Sequence, residues 1–151
     1  MPTKRGKDST KVADNLIDAF NRGDWDRLRS LVTHDIVYQE TGTGRRIQGG
    51  DAYVQLCQGW KQAFSDVTGT VHATVASGST VAQEVIWEGT HTGPLTGPAG
   101  TLPPTGRRAS VPGTMWYVIE GDRVREIHHH LDLLTLLQAV GAVPAPAHAG
   151  A

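Results

Sequence analysis

The order of elements predicts an α+β fold: a curved antiparallel sheet wrapped around N-terminal helices, with one more helix closing the chain. Three observations carry that prediction. Apolar residues recur at spacings of three and four over about residues 12–31 and again over residues 53–64. The period then switches to two from Val67 onwards. Most of the turns between the later strands are short, which favours hairpins over the helical crossovers that a parallel sheet requires.

The first helix is signalled by Ser9 or Thr10 as cap, with Val12, Ala13, Leu16, Ile17 and Phe20 on one face. Asn21 to Gly23 break it, and Asp24 caps a short second helix whose inner residues are Trp25, Leu28 and Leu31. Ile36 to Glu40 is β-branched and aromatic and reads as a strand, followed by a turn-rich stretch from Thr41 to Gly50. Asp51 is placed as the cap of the clearest helix, with Tyr53, Leu56, Cys57, Trp60, Ala63 and Phe64 inside. Four strands follow. The first alternates through Val67, Gly69, Val71, Ala73 and Val75. The second runs Thr80–His91, with Val81, Gln83, Val85, Trp87, Gly89 and His91 on one face. A Gly/Pro loop, Gly93–Gly106, separates them from Arg107–Glu120, and Gly121-Asp122 is a tight hairpin signal before Arg123–Leu131. A terminal helix from Asp132 to Val140 stops at Gly141 and Pro144. Residues 8–143 are thus expected to form one domain, with residues 1–7 and 144–151 as disordered tails.

The 151 residues suffice to bury a real core, and a formal net charge of −1 offers no field for nucleic acid or an anionic membrane surface. The single cysteine, Cys57, rules out an intrachain disulfide and the usual Cys-based zinc spacings. It falls on an apolar helix face, where an inert thiol is expected. The N-terminus has no apolar signal-like core, so a cytoplasmic location is the expectation.

Several stretches taken in order carry a resemblance. They are Asn21-Arg22-Gly23-Asp24-Trp25 leading to His34-Asp35, and Ala63-Phe64-Ser65-Asp66. Trp87-Glu88-Gly89-Thr90-His91-Thr92-Gly93 and Pro103-Pro104-Thr105-Gly106-Arg107 follow. The last is Gly121-Asp122-Arg123-Val124 through Asp132 to Leu136-Leu137-Gln138-Ala139-Val140-Gly141. Together they span roughly residues 10–142, and the chain resembles the SnoaL-like polyketide (ester) cyclases of the NTF2-like superfamily. The resemblance implies a cone-shaped fold and a homodimer paired through the outer sheet face. It also implies an acid/base carboxylate at Asp132 that moves a proton while an intramolecular aldol reaction closes the ring of a hydrophobic substrate, with no metal or organic cofactor. Two departures are visible. The Pro94–Pro104 loop is longer than the family's usual version, and His128 stands where an aromatic residue is common.

Read from the residues alone, Asp132 is also an ordinary helix N-cap, and both roles can coexist. The run His128-His129-His130 is the least ordinary feature. Strand alternation is taken to put Glu126, His128, His130 and Asp132 together on the cavity face, where imidazoles and carboxylates suit proton transfer near neutral pH. His129 is then expected to face a helix or a subunit contact. A His-x-His pair on a strand also suits a transition metal, but no further ligand motif accompanies it. His91, between glycines, is a candidate donor to a substrate oxygen, with a plain loop histidine as the alternative. Tyr38, Tyr53, Trp60, Trp87 and Trp116 are expected to line the pocket, with Glu40 and Glu126 as polar contacts. Arg45, Arg46, Arg107 and Arg108 read as solvated loop charge. The rival functions are other acid/base chemistry on the same scaffold (epoxide opening, isomerisation, dehydration) and a non-catalytic small-molecule-binding domain.

Overall fold

A computed structural model of the chain describes residues 4–97 and 100–146, with side chains from Asp8 onwards. Helix α1 (Lys4–Arg22) starts five residues before the expected cap, so part of the stretch assigned to a disordered tail is helical. Its face Val12, Ala13, Leu16, Ile17 and Phe20 is buried as the spacing requires. Asp24 caps α2 (Trp25–Ser30) by accepting from the Arg27 amide at 3.2 Å. Strands β1 (Val32–Thr41) and β2 (Arg45–Gln48) form a hairpin where sequence gave only the first of them; β2 is too short and too basic to signal itself. Helix α3 (Gly50–Ala63) follows with Gly49, not Asp51, as its N-cap, while Asp51 sits in the first turn and pairs with Arg29 at 2.8 Å.

The remaining strands are β3 (Thr68–Ser77), β4 (Thr80–Thr90), β7 (Arg108–Glu120) and β8 (Arg123–Leu131). The Gly/Pro loop holds a small separate hairpin, β5 (Leu95–Gly97) with β6 (Gly100–Leu102). Helix α4 (Leu133–Ala139) closes the described chain. The main sheet is six-stranded in the order β2-β1-β8-β7-β4-β3. All neighbours are antiparallel except β1 with β8, which the sequence order alone did not reveal. The inner face packs on α1 and α3 through Leu16, Tyr53, Val85, Tyr117 and Ile127, all buried.

Two bulges decide which side chains face inwards. In β3 the register shifts between Val71 and Ala73, so Ala73 and Val75 pair with Glu84 and Ala82, and Val75 ends up 70% exposed. At the β7–β8 hairpin it shifts between Val118 and Ile119: Ile119 pairs with Val124, but Val118 with Glu126. Val124 and then Ile127 are therefore both buried, three residues apart in one strand. Among the described residues no helix is long and apolar enough to cross a membrane.

Candidate active site

The phase of β8 is the reverse of the one expected from its histidines. Ile127 and His129 are buried and Leu131 is half-buried, whereas Glu126, His128 and His130 lie on the outer face. Burying an aliphatic side chain contributes about 1.5–3 kcal/mol. One neutral imidazole costs little to bury when both its nitrogens are hydrogen-bonded. Ile127 and Leu131 therefore set the orientation, and His129 goes in with them. His128 is left to an outer-face contact with Glu126 at 3.6 Å, and His130 to Thr41 at 3.4 Å.

Asp132 does not reach the cavity either. It is exposed and caps α4, accepting from the Thr135 amide at 3.1 Å and the Thr135 hydroxyl at 2.7 Å. These two hydrogen bonds hold its carboxyl below the usual range, the opposite of what a general base at neutral pH needs. Trp116, expected in the wall, is 44% exposed on the outer face, because Met115 and Tyr117 take the inner positions of β7. Glu126 likewise points outwards.

The cavity lies between α1, α3 and the inner sheet face, and encloses about 730 Å³ including the solvent at its mouth. Tyr38, Tyr53, Trp60 and Trp87 do line it, together with Phe20, Phe64, Met115 and Cys57. Its wall is mostly apolar; Glu88 also lines it, and a buried polar cluster is set into the sheet side. Glu40 and His129 are Cα partners across the parallel β1–β8 pair, and Tyr38 shares the inner face of β1 with Glu40. The Tyr38 hydroxyl donates to Glu40 Oε2 at 2.5 Å and lies 2.9 Å from His129 Nδ1. Trp87 Nε1 donates to His129 Nε2 at 3.2 Å.

These contacts fix the direction of every hydrogen bond. An indole N–H can only donate, so His129 Nε2 must accept and its proton sits on Nδ1. That N–H donates to the tyrosine oxygen, whose own proton goes to the carboxylate. The chain runs Trp87 to His129 to Tyr38 to Glu40, and Thr43 adds a hydroxyl bond to Glu40 Oε1 at 2.8 Å. Burial, and then the nearby charge of His130, pushes the His129 pKa down to about 3, so the ring is neutral at ordinary pH. Burial foremost, and then the Glu40 charge, raise Tyr38 well above the normal phenol range. Cys57 is pushed up to about 12 by burial and is inert as a nucleophile.

Two glycines make room for this arrangement. A Cβ on Gly113 would lie 2.8 Å from His129 Nε2 and 3.2 Å from Trp87 Nε1, so the bare strand lets the indole reach across β7. A Cβ on Gly69 would lie 2.6 Å from Cζ3 of the same indole. His91 is fully buried, as its strand phase required, but stands behind Phe64 and not on the cavity wall. Its Nδ1 accepts from the Thr105 amide at 3.2 Å, and Nε2 has no hydrogen-bond partner. Burial lowers its pKa, with the Gly93 backbone opposing. It thus staples the Thr105 loop to β4. Among the described residues no group of three or more His, Cys, Asp or Glu is placed to hold a metal ion.

Sequence reasoning missed His129. The signal was present in Ile127 and Leu131, which alternate with it and are apolar. Arg45 was also misread: it is half-buried and pairs with Glu40 at 3.9 Å.

The family model for SnoaL-like polyketide cyclases matches residues 10–140. The chain belongs to that family. Solved structures agree on its NTF2-like, ketosteroid isomerase-like fold. A candidate SnoaL-like polyketide cyclase from Jannaschia sp. CCS1 superposes with a TM-score of 0.83 at 19% identity, covering 94% of this chain and 97% of the other. IdmH, a candidate polyketide cyclase from Streptomyces antibioticus, gives 0.76 at 28% identity, over 88% and 98%. A candidate ketosteroid isomerase from Kribbella flavida gives 0.66 at 17%, over 95% and 85%. No curated protein matches the chain. For a SnoaL-like protein, the exposed cap at Asp132 leaves the hydrogen-bonded chain that ends at buried Glu40 and reaches the cavity through Tyr38, His129 and Trp87, with Glu88 as a further polar residue in the lining.

Proposed function

We propose that the chain is a cofactor-independent cyclase that closes a ring in a hydrophobic, polyketide-like substrate by an intramolecular aldol reaction. One observation carries this reading: a buried carboxylate connected through a phenol to a neutral imidazole in the wall of an apolar cavity. Burying a carboxylate costs several kcal/mol, a burden that a simple apolar binding pocket has no need to carry.

The substrate carbonyl oxygen first draws the Trp87 N–H away from His129 Nε2, and the lone pair so released takes the proton from a carbon beside that carbonyl. As it does so, the Nδ1 proton moves to Tyr38 and the tyrosine proton to Glu40. The imidazole ends neutral in its other tautomer, and the negative charge passes from Glu40 to the enolate. This concerted shift avoids a lasting imidazolium, which the site disfavours strongly. The same Trp87 N–H then stabilises the enolate oxygen. The enolate carbon attacks a second carbonyl of the same molecule, and the resulting alkoxide recovers the proton from the relay. Product and substrate are isomers. Double-bond isomerisation and dehydration would use the same relay, and product analysis distinguishes them.

A purely binding domain is the second reading, and Asp132 in a capping role is what it predicts. Exchange of the α-protons of 2-tetralone in D₂O, followed by proton NMR, separates the two. Wild-type protein is expected to accelerate exchange above buffer, and Glu40→Gln to lose about 10²–10⁴-fold of that acceleration. Equal exchange by both proteins, or none by the wild type while it binds the ketone, would overturn the enzyme reading. The homodimer expected from the family fits exposed Trp116 on the outer face of β7. Sedimentation of Trp116→Glu as a monomer against a wild-type dimer would support it.

A further inference from the structure

The chain has three tyrosines, all buried, and two of them have oxygen partners. Tyr38 donates to Glu40 Oε2, and Tyr117 to Gln83 Oε1 at 2.9 Å. Gln83 in turn donates to Asp14 at 2.8 Å. Tyr53 differs. Among the described residues no oxygen or nitrogen bonds to its hydroxyl, whose polar neighbour is the Cys57 thiol one helical turn along α3. A thiol is a weak acceptor. Nor is the oxygen sealed in like Thr33 Oγ1 and His91 Nε2, the partnerless buried atoms among the described side chains; it opens into the cavity that Tyr53 lines. Phenylalanine would fill the same space without an underused hydroxyl.

The geometry points to Tyr53 as a second catalytic residue: its hydroxyl donates to the oxygen of the carbonyl that the enolate attacks, so the substrate is a dicarbonyl compound held by one oxygen at each wall. This inference rests on the acid/base reading of the cavity. The base stands on the sheet and Tyr53 on the helix wall, where its amide donates to the Gly49 carbonyl at 3.0 Å in the first turn of α3. Its ring centroid is 5.6 Å from that of Tyr38, the middle of the relay. Burial first, and then neighbouring Cys57, Tyr117 and Tyr38, raise Tyr53 well above the normal phenol range, so it keeps its proton and donates. When the enolate carbon forms the new bond, the π pair of the attacked carbonyl moves onto its oxygen, and Tyr53 stabilises the growing charge. The tyrosine proton stays where it is, since the alkoxide takes the proton held by the relay.

The test uses 2-(3-oxobutyl)cyclohexanone, a diketone able to close by an intramolecular aldol step, with ¹³C in one carbonyl or the other. A hydrogen bond weakens a C=O bond, so isotope-edited infrared spectra of the bound diketone, taken before turnover, read each oxygen separately. Wild type should shift both stretches below their values in an apolar solvent. Tyr53→Phe should return one of them to the apolar value with no fall in its urea midpoint. Tyr117→Phe should lower the midpoint and leave both stretches shifted. The kcat for cyclisation should fall about 10²-fold in Tyr53→Phe, at least about tenfold more than its 2-tetralone exchange, because 2-tetralone has no second carbonyl. A wild type that fails to bind the diketone, or binds it with one carbonyl unshifted, overturns the proposal, and so do two shifted stretches in Tyr53→Phe. The wild-type spectra decide even if the variant does not fold. If one stretch reverts yet Glu40→Gln exchanges 2-tetralone like wild type, the acid/base reading fails and the Tyr53–carbonyl contact stands.

Discussion

The two faces of β8 carry the same side chain in different physical settings. His128 and His130 look outwards, beside Glu126 and Thr41, half-exposed or exposed. One residue along, His129 is almost fully buried, bonded at both nitrogens and set into the wall of an apolar cavity. The difference teaches that a histidine's chemistry comes from its surroundings. On the outer face water and a free carboxylate are at hand. On the inner face burial removes the charged state, and the only route for a proton is along fixed hydrogen bonds.

The largest contrast should appear when each histidine is replaced by glutamine. His129→Gln is expected to lose about 10²–10⁴-fold in 2-tetralone exchange, while His128→Gln and His130→Gln stay within about twofold of wild type. Comparable losses from all three would break the contrast between the faces. Gly113→Ala probes the same site from the neighbouring strand. Its Cβ would press on His129 Nε2 and Trp87 Nε1, so a stability loss of about 1–3 kcal/mol is expected in urea unfolding, with a clear drop in exchange.

Acid should separate the faces by another route. His129 titrates near 6.5 in the unfolded chain and near 3 in the fold. Between those values the unfolded state holds the extra proton. Stability attributable to this residue is therefore constant above about pH 6.5 and falls as pH drops towards 3, by roughly a factor of ten in the folding equilibrium per pH unit. His91, also lowered, adds in the same sense. Urea titrations of wild type and His129→Gln across pH 4–8 check this, since the variant should show a shallower slope. The smallest effect belongs to Asp132→Asn. Asparagine caps as well as aspartate, so melting temperature and exchange should both stay close to wild type, whereas Asp132→Ala should cost about 1 kcal/mol of stability.

Much of the architecture was legible because burial follows periodicity. The buried face of α1, the α3 stripe and the inner positions of β4 were all readable from spacing. What escaped was non-local. The parallel β1–β8 pairing and the short β2 depend on which strands meet, and a single strand does not encode its neighbour. The bulge near Ala73 put Val75 outside because one extra residue reverses every side chain after it. The site was half legible. Tyr38, Tyr53, Trp60 and Trp87 were placed in the wall, and Glu40 was noticed on the Tyr38 face. On β8, however, the histidines and carboxylates suggest one phase while Ile127 and Leu131 set the other, and Trp116 faces outwards because it alternates with buried Met115 and Tyr117. Apolar neighbours set the phase of a strand, and polar residues follow it.

Intermolecular NOEs between bound 2-tetralone and the histidine ring protons of the wild-type protein test the central claim most directly. Contacts to the His129 ring and the Trp87 indole, with none to His128 or His130, are the predicted result. Contacts to the outer-face histidines, or a saturated protein with no contact to His129, would contradict it.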